Sequence, residues 1–256
     1  EKSLQIFSNA ASTSDSSTAS TPQPDAFCET PTTYSGGLTV TGIAKYEYRT
    51  NGNGAINGTP NPIRLAEVVV YNSSGSIIQC GTTASSGNFS VTVPNPATDF
   101  KLQVNARISN TLTKAYILNN PTDMDHHFIS ATFSGTSAVN LGTLTAPADD
   151  TLEGGAFNIL DQILSANLYL EAQTASCDSV FLNCSPFTGT PLVKVFWSKG
   201  VNPGTYVNQG AISYFVTTSR ELYILGGSND DVDNSDTDHF DNSSIIHEYG
   251  HFIESV

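Results

Sequence analysis

Ser86-Gly-Asn-Phe-Ser-Val-Thr-Val-Pro94 is the stretch that decides the class of fold. Phe89, Val91 and Val93 alternate with Ser90 and Thr92, so an extended chain here is apolar on one face and polar on the other. Ser86-Gly87-Asn88 supplies a turn before it, and Pro94 ends the run because it has no N–H for a ladder. The same period of two recurs on both sides. It is present in Leu38-Thr-Val-Thr-Gly-Ile-Ala-Lys-Tyr46 and in residues 66–71, and the turn Asn72-Ser-Ser-Gly75 is followed by a further strand at residues 77–80. It returns in residues 100–108, with further strands expected at 128–133 and 139–144. Short β-branched strands at this spacing predict a β-sandwich over residues 38–146. Residues 1–37 are rich in Ser, Thr and Pro without hydrophobic periodicity, which predicts a flexible tether.

The chain has 256 residues, with 10 Lys and Arg against 24 Asp and Glu, a net charge of −14. That acid excess argues against a nucleic-acid partner, since phosphate contacts require clustered cations. No run reaches the roughly 18 apolar residues that a membrane span needs. No leader segment is evident at Glu1, so the sequence reads as a mature or trimmed form. Only 13% of residues are charged, and Ser, Thr and Asn take the place of charge on the surface, as suits an exported β-rich protein. Of the four cysteines, Cys177 and Cys184 bracket a short loop that one disulfide could close, leaving Cys28 to pair with Cys80. Disulfides fit an exported chain, and four buried free thiols are the alternative.

Gly37-Leu-Thr-Val40, Ala66-Glu-Val-Val-Val-Tyr71 and Gly87-Asn-Phe-Ser-Val91 follow one another in an order that resembles the carboxypeptidase regulatory-like, transthyretin-type sandwich. Beyond Pro147-Ala-Asp-Asp150 the texture changes. Phe157, Leu160, Leu164 and Leu168 fall on one stripe with Ile159 and Ile163 beside it, which predicts a helix over 155–172. Strands are expected at 192–197, 212–216 and 221–225, followed by an acidic loop and a last helix.

That helix carries Ile245-Ile-His-Glu-Tyr-Gly-His251, an HExxH pattern. Positions four apart share a helix face, so His247 and His251 can offer both imidazoles to one zinc ion. Glu248 lies on the adjoining edge, placed to take a proton from the attacking water, while zinc lowers that water's pKa and polarises a carbonyl. Ile245, Ile246, Phe252 and Ile253 flank the motif with apolar side chains. Ser243 or Asn242 can cap the helix, and Asp241 suits its positive end. Gly250 costs about 1 kcal/mol relative to Ala inside a helix, which a close approach of another backbone would explain. A structural helix that happens to carry two histidines is the plain alternative.

Glu221-Leu-Tyr-Ile-Leu225, Gly226-Gly227, the acidic loop and the HExxH helix together resemble the upper half of a zincin metallopeptidase. Gluzincins place an edge strand and an acidic loop just ahead of this helix. Asp236-Thr-Asp-His-Phe-Asp241 running into His247-Glu-Tyr-Gly-His251 also looks like a group of secreted bacterial HEYGH proteins. The resemblance implies His247 and His251 as zinc ligands and Glu248 as general base. It departs from metzincins, because Glu254 stands where their Gly belongs and no third His follows. A catalytic zinc takes three protein ligands. Glu254, His239 and the pair His126-His127 are the candidates within the chain, with Glu254 better suited to orienting a ligand. A truncated or nicked chain, completed by a downstream or cleaved C-terminal fragment, is the other expectation. Residues 229–241 hold six Asp and neither Lys nor Arg. Asp231, Asp233, Asp236 and Asp238 could serve a calcium ion, or the loop is simply solvated.

The expected fold is therefore mainly β plus α+β: a sandwich over 38–146, then the upper part of a zincin-like domain over 147–256. The expected function is a secreted or cell-surface zinc endopeptidase acting on peptide or protein substrates. An extracellular adhesion or binding protein, with the sandwich as its working part and a degenerate helix, is the rival.

Overall fold

The computed structural model describes residues 27–28, 31–50, 54–175 and 185–256. Cys177, Cys184 and most of the expected tether lie outside the described residues. Within them the chain is mainly β, with two helices. Among the described residues no helix is long and apolar enough to cross a membrane. The described residues fall into two compact units. The first takes its residues from Glu1–Tyr48, Ile56–Ala106 and Asp125–Phe157; the second from Arg49–Ala55, Arg107–Met124 and Asn158–Val256.

Two four-stranded sheets make up the first unit. In one, β1 (Leu38–Tyr46) is central, pairing in parallel with β10 (Val139–Ala146) on one side. On its other side it meets β5 (Asn88–Val93) and the two-residue β2 (Asn61–Pro62), both antiparallel. The alternation in the sequence now has a cause: Leu38, Val40, Ala44 and Tyr46 of β1 are buried, as are Phe89, Val91 and Val93 of β5. The other sheet runs β4 (Ile77–Thr82), β3 (Glu67–Tyr71), β6 (Ala97–Asn105), β9 (Phe128–Gly135), antiparallel throughout. A disulfide joins Cys28 to Cys80 of β4, as expected. The amide of Cys28 donates to Glu67 Oε1 at 2.6 Å and Asn105 Nδ2 donates to Glu67 Oε2 at 2.7 Å, which satisfies a fully buried carboxylate.

The second unit is built on a five-stranded mixed sheet in the order β12 (Tyr214–Val216), β13 (Glu221–Tyr223), β11 (Val193–Phe196), β8 (Lys114–Leu118), β7 (Arg107–Ser109). The neighbours β13, β11 and β8 are parallel, whereas β12 and β7 run antiparallel at the two edges. Three details differ from the sequence reading. The expected strand over 100–108 divides at Ala106, where the chain leaves the first unit, and β8 was not anticipated. The edge position also belongs to β12, with residues 221–223 one strand further in.

The long helix α1 (Glu153–Ala175) begins in the first unit and continues in the second. Phe157, Leu160 and Leu164 are buried on its expected stripe, while Leu168 is 37% exposed. The last helix, α2 (Asn242–Glu254), packs on β12 and β13. It buries Ile245, Tyr249 and Phe252, spaced i, i+4, i+7, each worth roughly 1.5–3 kcal/mol relative to exposure. Its N-cap is Asp241, rather than Asn242 or Ser243, because one carboxylate accepts from the amides of both Ser243 and Ser244. Just after β13, Gly226 meets Ser198 so closely that a Cβ would lie 1.8 Å from that residue's carbonyl oxygen. No larger residue fits there without moving backbone.

Candidate metal centre

α2 presents His247 and His251 on its exposed side, and their Nε2 atoms lie 3.3 Å apart with the rings 4.8 Å between centroids. Two nitrogens at about 2.0–2.1 Å from a tetrahedral zinc are themselves about 3.3–3.4 Å apart. The separation of the pair therefore matches that between two corners of a zinc site. Glu254 lies one turn on, 82% exposed, with Oε2 3.8 Å from His251 Nδ1. It faces the nitrogen away from the partner imidazole, beyond hydrogen-bond distance.

Glu248 is half-buried between the helix and β12. Burial raises its pKa, opposed by His247, His251 and the backbone amide of Phe215, which donates a hydrogen bond to it. A carboxylate that is costlier to keep charged is a better proton acceptor, and the amide fixes its direction. The edge strand thus holds the expected general base.

Several buried polar groups brace this helix. Asn167 of α1 donates from Nδ2 to Leu112 O at 3.1 Å, Thr113 Oγ1 at 3.0 Å and Thr190 Oγ1 at 3.4 Å, and accepts from the Tyr249 hydroxyl at 2.8 Å. Asn158 of α1 donates to the His239 carbonyl at 2.9 Å and to Asn242 Oδ1 at 3.0 Å, pinning the start of α2. Ser213, just ahead of β12, donates to Asp238 Oδ2 at 2.5 Å and accepts from the Leu225 amide at 2.8 Å, while the Asp238 amide donates to the Leu225 carbonyl at 2.8 Å. None of Asn158, Asn167, Ser213 or Phe215 was singled out from sequence. The available signal was two amides, Asn158 and Asn167, inside the apolar run of α1.

The other candidate ligands are placed elsewhere. His239 is 2% exposed, packed on Trp197 at 5.1 Å and Phe240 at 4.7 Å. Burial, helped by Arg49, pushes its pKa down to about 3, so it stays neutral. His127, in the first unit, pairs through Nδ1 with Glu153 Oε2 at 3.2 Å, and His126 beside it is buried too. Asp231 turns its carboxylate onto the amides of Asp233 and Asn234, at 3.0 and 2.9 Å, closing its own turn. Asp236 and Asp238 line a cavity beside His247 and Glu248. Among the described residues no three His, Cys, Asp or Glu side chains converge as a metal site, for zinc or for calcium.

Gly250 corrects an expectation. A Cβ built there meets nothing within 4 Å, so no backbone approaches it in the described chain. Gly250→Ala is expected to stabilise this chain by about 0.5–1 kcal/mol in urea denaturation, through helix propensity alone. A loss of stability would mean that something packs there.

No protein-family model matches the chain, and a search of curated proteins finds no match. Among solved structures it is similar to a 9R-lipoxygenase from Cyanothece PCC8801, with a TM-score of 0.29 and 16% identity. The match covers 63% of this chain and spans 27% of the lipoxygenase chain.

Proposed function

We propose that the second unit is the upper part of a zincin-type catalytic domain and that the protein is a secreted zinc-dependent endopeptidase. The observation that carries this reading is the convergence of His247 and His251 at 3.3 Å beside a half-buried Glu248 held by an edge-strand amide. His247 and His251 would hold the ion, with a third ligand from outside the described residues. When bound, zinc supplies a Lewis acid and acidifies water in its coordination sphere. The chain's own residues do the rest. Glu248 accepts the proton of the attacking water at its carboxylate and returns it to the leaving amine, as its position beside both imidazoles allows. Among the described residues β12 pairs only with β13 in this sheet, and its Phe215 amide is given to Glu248, so a substrate would lie along the clefts on either side of that carboxylate. The two sheets of the first unit support the sandwich reading, and that unit would anchor the enzyme or position its substrate.

Metal content tests the proposal. After zinc loading and dialysis, plasma mass spectrometry is expected to find about one zinc per chain, and none in His251→Ala. Zinc retained by the variant would remove His251 as a ligand. Zinc absent from both proteins would remove these two histidines as a sufficient site.

A further inference from the structure

Two clefts meet at Glu248. One, of about 460 Å³, extends along the N-terminal half of α2 and is walled by Ser244, His247, Ser213, Asp236 and Asp238. The other, of about 560 Å³, extends along the C-terminal half past His251 and Glu254. A peptide crossing Glu248 therefore places a residue neighbouring its scissile bond over the first cleft. We infer that this cleft is a specificity pocket for a substrate Lys or Arg, with Asp238 as the residue that recognises the cation.

The walls fit such a side chain along its length. Ala211, Ile212 and Leu225 offer apolar surface to the methylene stem. Asp236 and Asp238 line the cleft together with Glu248, and none of the lining residues is Lys or Arg. Asp238 is held in place by the Ser213 hydroxyl and by its own amide on Leu225, so the carboxylate is presented in a fixed position. Its pKa is raised, by burial first and then by the neighbouring Asp236 and Asp241. A cation entering the cleft would relieve that cost. The positive end of α2 does not reverse the preference, because Asp241 already accepts the amides of Ser243 and Ser244.

This inference rests on the hydrolytic reading of Glu248, and the experiment separates the two. Zinc-loaded Glu248→Gln protein is titrated with Ala/Gly hexapeptides in which one Lys, or one norleucine, is moved through every position. At one position Lys is expected to bind about tenfold tighter than norleucine, a charge-assisted hydrogen bond's worth. Asp238→Asn is expected to cut that advantage to below about threefold. Asp236→Asn, at an exposed residue that threatens no fold, is expected to reduce it in part. No Lys advantage at any position, or one that survives both variants, overturns the pocket. The same peptides are then offered to the wild-type protein. Cleavage without Lys preference overturns the pocket and leaves the peptidase. Lys-selective binding with no cleavage overturns the peptidase and leaves the cation pocket.

Discussion

Glu248→Gln is expected to lower peptide-bond hydrolysis by between about a hundredfold and ten-thousandfold while the protein stays folded and keeps its zinc. Gln has the size of Glu and can still accept the Phe215 amide, so the link between α2 and the edge strand survives. What disappears is the basic oxygen, because a neutral amide takes up no proton near neutral pH. His247 and His251 remain 3.3 Å apart on the same turn, so the metal site is untouched. The measurements are kcat/KM on an internally quenched peptide, zinc per chain and the melting temperature, all on wild type and variant. A variant within tenfold of wild type would take the general-base role from Glu248. Binding activity with no hydrolysis in either protein would favour the adhesion reading.

Asn167→Ala is expected to destabilise the second unit by about 3 kcal/mol, since the buried hydroxyls of Thr113 and Tyr249 and the half-buried Leu112 carbonyl lose their partner at once. Leu112 O, the hydroxyls of Thr113 and Thr190, and the Tyr249 hydroxyl all converge on this one amide. Alanine leaves a void and offers no donor. Tyr249→Phe deletes only one member of the network and is expected to cost about 1 kcal/mol. Because Tyr249 lies inside the HExxH turn, loosening it also loosens the two histidines, and zinc affinity should fall in the same order as stability. Urea denaturation and zinc titration on both variants check this. An Asn167→Ala protein as stable as Tyr249→Phe would mean that the network does not brace the helix.

The strands that were legible from sequence are those with one face buried. β1 and β5 alternate because their polar positions reach solvent. β8 was missed because Ala115, Tyr116, Ile117 and Leu118 are all buried. A strand with both faces covered shows no period of two and resembles any short apolar run. The division at Ala106 was equally hidden, since alternation continues through it and only partner choice separates β6 from β7.

The site divides in the same way. Sequence alone determined that His247 and His251 share a helix face with Glu248 beside them, because helical geometry over four residues depends on nothing distant. It also determined the acidity of residues 229–241 and the pairing available to Cys28 and Cys80. Only the tertiary structure decided which strand borders Glu248, that Phe215 donates to it, and that Asn167 braces the motif from a helix some 80 positions away. It alone separated Asp231, folded onto its own turn, from Asp238, aimed into a cleft. Local spacing is written in the chain, whereas burial and partner choice follow from which distant segments share a core.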